Sequence, residues 1–156
     1  MRVLHVDTGN IYKSLIKTGR KLDYKKYIDA CGKLDNATAY GSMHPGSRLF
    51  IRALRGLHMN TVFAPVCYTM MGDIDVDSSS YHATMATQIL LNDEDVDTLI
   101  LGTNSVDFLP LIQDAVSEGI EVIIIASDIP PSFQNTGAQC IELTEEFTYS
   151  SAKQGP

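Results

Sequence analysis

The sequence predicts an α/β domain of three layers, built on a central, mainly parallel sheet of about five strands. Three observations carry this reading. Strand-like runs alternate with amphipathic helical segments, an order that calls for right-handed crossovers and so for parallel strands. The runs 97–102 and 121–126 are apolar at consecutive positions, as strands covered on both faces must be. The length, 156 residues, suits one domain that buries roughly 70% of the surface its unfolded chain exposes.

Residues 2–6 read as a short strand ending at Asp7, after which the turn-prone Thr8, Gly9 and Asn10 lead into a helical segment over 11–16. Leu22, Tyr27, Ile28 and Cys31 make a rough helical stripe over 22–31, and 34–40 follows as a strand. Pro45 and Gly46 mark a loop. Leu49, Phe50, Ala53, Leu54 and Leu57 then share one helical face over 48–57. The β-branched and aromatic run 61–68 contains Pro65, whose missing amide hydrogen suits a sheet edge. After an acidic loop over 72–77, Ser78, Ser79 and Ser80 can cap a helix running to about Leu91. Strand 97–102, a helix over 107–118 closed by Gly119, and strand 121–126 complete the alternation. Beyond Asp128 the pattern thins to a short strand over 139–143 and a polar tail from Thr148. The domain is therefore assigned to 1–147 and the tail to 148–156.

Composition narrows the function. A net charge of −7, from 12 Lys and Arg against 19 Asp and Glu, argues against tight, nonspecific duplex binding through broad phosphate neutralisation. It leaves a nuclease open, because carboxylates gathered around metal ions are electrostatically inverted by the cations they hold. Cys31, Cys67 and Cys140 form neither a CxxC pair nor an even disulfide set, so free thiols in a reduced compartment are expected. No apolar run approaches the ~18 residues of a membrane span, and no signal-peptide core follows Met1. A cytoplasmic protein without a membrane partner is the expectation; a homodimer stays open.

Carboxylates follow strands three times: Asp7 after the first, Asp73, Asp75 and Asp77 after 61–68, and Asp107 after 97–102. A parallel sheet can bring all three groups to its carboxyl edge, where ligands gather. Converging carboxylates repel unless neutralised, and a hard, oxygen-seeking Mg²⁺ or Mn²⁺ is the usual solution. Such a site suits phosphodiester hydrolysis. Each residue also has a plainer reading. Asp7 and Asp107 can be helix caps, and the 73–77 aspartates the exposed face of a strand extension. Thr103 and Ser105 can bind phosphate at a helix start or simply cap it. His82 could ligate metal or move a proton, or be a structurally satisfied histidine; His5 reads as structural, and His44 and His58 lie in or near loops. No GxGxxG, GxxxxGK[ST] or GxSxG motif follows a strand.

Val6-Asp7-Thr8-Gly9-Asn10-Ile11 resembles the opening D-x-x-N-[IVL] of NYN domains. The segment from Asp97 to Leu111, with Thr103-Asn104-Ser105-Val106-Asp107-Phe108 at its centre, resembles the family's D-T-x-x-L-x-S-G-D-S-D-F-x-P-L, and Gly119 to Val122 continues it as G-x-x-V. Ala39-Tyr40-Gly41 and Gly72-Asp73-Ile74-Asp75-Val76-Asp77 fit its x-Y-G and K-G-V-D-V segments, so the likeness spans about residues 3–126. The resemblance implies a PIN-like fold and a metal-dependent ribonuclease acting on RNA. It implies Asp7, Asp77 and Asp107 as catalytic residues and Asp7, Asp75 or Asp77, and Asp107 as ligands of Mg²⁺ or Mn²⁺. Asn10 would support Asp7, while Thr103, Asn104 and Ser105 would line the phosphate. The chain departs from the family at Ser105, where an Asp is usual, at Asn104 in place of Gly, and at Tyr81 to Thr84, where a further Asp is expected. A catalytically weak or inactive module that binds RNA or protein is the alternative these departures raise.

Overall fold

In the computed structural model, residues 1–65, 67–68, 74–75, 79–92 and 94–150 are described, with 67, 68, 74, 75, 79 and 80 described by backbone alone. The chain order is β1 (Arg2–Asp7), α1 (Thr8–Ile16), β2 (Arg20–Leu22), α2 (Tyr24–Ala30), β3 (Asn36–Met43), α3 (Ser47–Gly56) and β4 (Asn60–Pro65). Then come β5 (Cys67–Tyr68), β6 (Ile74–Asp75), α4 (Ser79–Leu91), β7 (Thr98–Gly102), a 3₁₀ turn (Val106–Phe108) and α5 (Leu109–Ser117). The chain continues through β8 (Glu121–Ala126), α6 (Pro131–Gln134), β9 (Gln139–Glu142), a second 3₁₀ turn (Glu145–Phe147) and β10 (Thr148–Ser150).

Six strands form one sheet in the order β4-β3-β1-β7-β8-β9, and every neighbouring pair is parallel. The sheet is wider than the expected five because the short run at 139–142 joins it as β9. β4 lies at the edge, where Pro65 can be tolerated. Strand side chains alternate between two cores, as a period of two requires. On β1, Val3 faces one core while Leu4 and Val6 face the other; on β8, Val122, Ile124 and Ala126 oppose Ile123 and Ile125. The first core packs against α4, the first 3₁₀ turn and α5 through Tyr81, Met85, Phe108 and Ile112; the second packs against α1, α2 and α3 through Ile11, Tyr27 and Leu54. These are the three layers.

The segment 22–31, expected to be one helix, divides. Its first residue closes β2, and Asp23 then caps α2 by accepting a hydrogen bond from the Lys26 amide at 3.2 Å. β2 pairs antiparallel with β10, with Leu22 opposite Thr148. Arg20 secures that pair, donating to the Thr148 hydroxyl at 2.5 Å and to its carbonyl at 3.1 Å. Residues 148–150, placed in the polar tail by composition, are thus a strand, and Thr148 is buried. Among the described residues no helix is long and apolar enough to cross a membrane.

Candidate functional site

Counting only the six parallel strands in chain order, the sheet reads 3-2-1-4-5-6, so the connections leave β1 and β7 in opposite directions. A crevice opens at the carboxyl ends of such strands, where nothing crosses between their loops. Asp7 ends β1 and Thr8 to Asn10 open α1 without an intervening loop; Thr103 to Ser105 form the loop after β7, and Asp107 lies in the 3₁₀ turn that follows. The site candidates of these two junctions meet there.

Asp7 lies at the bottom, with 0% of its side chain exposed. A carboxylate in that position must have its charge answered and its oxygens bonded. Its Oδ1 accepts from the Asn10 amide at 3.1 Å and from the Tyr81 hydroxyl at 2.5 Å. Its Oδ2 accepts from His82 Nε2 at 2.6 Å and from the Thr103 hydroxyl at 3.2 Å. Four donors fill the roughly four acceptor positions a carboxylate offers. Asp7 is therefore both the cap of α1 and the floor of the pocket.

His82 joins the two aspartates. Its other ring nitrogen, Nδ1, bonds Asp107 Oδ2 at 2.9 Å, so one imidazole separates a fully buried carboxylate from one that is 61% exposed. With an acceptor at each nitrogen, the doubly protonated ring satisfies both bonds at once. Burial works against that charge, but the hydrogen bonds and negative charges of Asp7 and Asp107 outweigh it, and the His82 pKa lies above its ordinary value. Phe108 and Tyr81 hold the ring edge-on at centroid distances of 4.9 and 5.2 Å. Burial first, then the neighbouring Asp7, raise the Tyr81 pKa, so this phenol is a donor.

Asn10 and Asn104 lock the start of α1 to the loop after β7. The Asn10 side-chain Nδ2 donates to Asn104 Oδ1 at 2.7 Å, and the Asn104 backbone amide returns a bond to Asn10 Oδ1 at 3.0 Å. Asn104 also donates to the Ser127 carbonyl at 2.7 Å, reaching the end of β8. Ser105 caps the 3₁₀ turn by accepting from the Asp107 amide at 3.3 Å. Asn104 and Ser105 thus set the backbone around the pocket. Gly9 is required where α1 meets α4, because a Cβ there would sit 2.5 Å from the Tyr81 hydroxyl.

This crevice, with its paired loops and buried aspartate, lies within a wider likeness: residues 3–150 match the NYN domain. The chain belongs to the NYN domain family. Its members are generally assigned as nucleases. An uncharacterized protein of Methanocaldococcus jannaschii is 33% identical over 84 residues, covering 53% of this chain and 33% of that protein, so the matched part spans about a third of the relative's length. The crystal structure of a protein of unknown function from Vibrio parahaemolyticus shares the fold, with a TM-score of 0.81 at 18% identity over 94% of both chains.

A divalent ion in this NYN domain would be sought between Asp7 and Asp107, and the donor set there does not fit one as it stands. The imidazole occupies the interval, and both Asp7 oxygens already carry two donors. Among the described residues, no three His, Cys, Asp or Glu side chains are grouped to hold a metal. Asp77 lies outside the described residues, and Asp75 is described only as backbone in β6, paired with Cys67. The sequence marks Tyr81 only as part of a departure from the family and leaves His82 open between a metal or proton role and a structural one. Their signal was positional: both stand at the start of α4, in the neighbourhood where the family resemblance expects an acid.

Proposed function

We propose that this chain is an NYN-type RNA-binding module in which His82 takes the place of the cation, so that RNA is held and its phosphodiester bonds are left intact. The observation that supports it is the Asp7–His82–Asp107 bridge, in which a side chain of the protein itself bonds both carboxylates, one through each ring nitrogen, and offsets one of their two charges. A metal-activated attack on phosphorus needs an ion in contact with those oxygens. Here an ion would first have to displace a buried, doubly bonded ring. Ser105 and Tyr81 point the same way, since the hydroxyl of Ser105 caps the 3₁₀ turn and that of Tyr81 donates to Asp7, in neighbourhoods where the family pattern would offer a carboxylate.

A second reading, a metal-dependent hydrolase of RNA phosphodiester bonds, is favoured by the convergence of Asp7 and Asp107 at one crevice. In that reading Asp7, Asp107 and Asp75 or Asp77 would hold Mg²⁺ or Mn²⁺, which would supply an activated water. Thr103 and Ser105 would then face phosphate. The two are separated by incubating labelled single-stranded and hairpin RNA with the wild type and Ser105→Asp in millimolar Mg²⁺ or Mn²⁺. RNA retained uncut by both proteins is expected. Cutting by the wild type that is lost in Asp107→Asn would establish the hydrolase instead.

A further inference from the structure

A chain with a net charge of −7 has few places where a polyanion can rest. One surface runs against that balance. A groove of about 920 Å³ opens beside the Asp7 site, lined in part by Thr8 and Gly9, which follow Asp7, and by Tyr81, which donates to it. Lys21 and Lys25 line it, against one carboxylate among the described lining residues, Asp23, which is turned to the cap of α2. The exposed Lys25–Asp29 pair, one helical turn apart at 3.1 Å, is of the weak kind that a phosphate can displace.

The same groove is aromatic. Tyr12 on α1 and Tyr149 on β10 stand at its rim, 53% and 51% exposed. Below them Tyr24, Phe50 and Phe63 form a half-buried floor, with ring centroids 5.5 and 6.1 Å apart in turn. Tyr149 is held opposite Lys21 by the β2–β10 ladder that Arg20 secures, so a ring and an ammonium are fixed on adjoining strands. Rings beside cations suit unstacked bases on a phosphate backbone: bases stack on the rings while lysines follow the phosphates. A duplex keeps its bases stacked inside and presents no free base face to the rings.

We propose that this groove is a track for single-stranded nucleic acid, which is RNA on the function proposed above, with bases stacking on Tyr12 and Tyr149 and phosphates running along Lys21 and Lys25. The track passes Tyr81, the donor to Asp7. The proposal rests on the RNA-binding reading but commits to a surface that the reading does not require.

The test is fluorescence anisotropy of a labelled uridine oligomer of about a dozen nucleotides, within the usual site size of such grooves, against the wild type, Tyr12→Ala, Tyr149→Ala and Lys21→Glu. Both tyrosines are half exposed, so their truncation leaves the core alone, and unchanged melting temperatures confirm it. Each tyrosine variant is expected to bind about tenfold more weakly. Lys21→Glu should also weaken binding, and more so at low salt. A deoxythymidine oligomer that binds as well supports the track and removes a preference for RNA; a hairpin duplex should bind poorly. A wild type that binds neither oligomer overturns the track and the RNA reading together. A wild type that binds while all three variants bind equally well overturns the track alone. Sedimentation supplies the remaining arm: a dimer that Tyr12→Ala and Tyr149→Ala convert to monomer, with RNA binding unchanged, would give the groove to a second copy of the chain.

Discussion

His82→Ala tests the bridge directly. The substitution removes one partner of a buried pair, Asp7 with His82 at 2.6 Å, and such losses cost about 3 to 5 kcal/mol because the other charge is left uncompensated. Three donors remain on Asp7, which places the effect near the lower figure, about 3 kcal/mol. The Asp107 half adds little, since an exposed pair is worth about 0 to 1 kcal/mol. For a domain of this length each kcal/mol moves the melting temperature by roughly 2 to 4 °C, so thermal unfolding at pH 7 should fall by about 6 to 12 °C. The variant also empties the interval between the aspartates. Millimolar Mn²⁺ should then stabilise it by mass action, about 2.7 kcal/mol at a hundred times the dissociation constant. The wild type should gain much less, since the ion must first expel the ring. Adding Asp7→Asn to His82→Ala should abolish the gain, whereas adding Glu145→Gln should not. A fall below about 2 °C, or an equal Mn²⁺ response in wild type and His82→Ala, would refute the bridge as a stand-in for the cation.

Two further outcomes follow from the same contacts. Tyr81→Phe keeps the ring but removes a donor to the Asp7 carboxylate, and should lower stability by roughly 1.5 to 3 kcal/mol in urea unfolding; a change near zero would mean the hydroxyl is idle. His5 and His82 should give stability a maximum near pH 6.5, the unfolded pKa of both. Burial lowers His5 to about 4, so between those values the unfolded chain holds a proton that the folded chain refuses, and stability falls as pH drops. His82 is raised, so its stabilisation is full below 6.5 and is lost as pH climbs through its folded pKa. Urea midpoints against pH should lose the acid slope in His5→Asn and the alkaline slope in His82→Ala.

The parts of this protein that a linear reading reached are those whose signal is local. β1, β7 and β8 announce themselves by consecutive apolar residues, and Asp7 and Asp107 by their position after strands. β2 and β10 did not, because three residues carry no period and their partners are more than a hundred positions apart. The Asn10–Asn104 lock joins residues 94 apart, and the Tyr81 and His82 contacts with Asp7 span 74 and 75 positions. Periodicity identified α4 as a helix, yet which of its side chains met β1 was settled by its rotation about its own axis. A histidine on that helix reads as bland until the sheet order places it between two carboxylates.

The charge of the pocket leads to a last expectation that separates holding RNA from cutting it. Two carboxylates and one imidazolium leave a single net negative charge at the crevice, whose exposed member is Asp107. A phosphate approaching along the lysine-lined groove is repelled by that charge. At separations on the order of 8 Å in water, one unit charge is worth about 0.5 kcal/mol, or roughly a twofold change in binding. Asp107→Asn should therefore tighten RNA binding by about twofold at low salt, with the gain fading as ionic strength rises. A site that holds phosphate through a metal responds in the opposite way, because the same substitution removes a ligand of the ion to which the phosphate is bound. Anisotropy titrations of wild type and Asp107→Asn at two salt concentrations, with and without Mn²⁺, read the sign. Weaker binding by Asp107→Asn only when Mn²⁺ is present would return the pocket to metal chemistry.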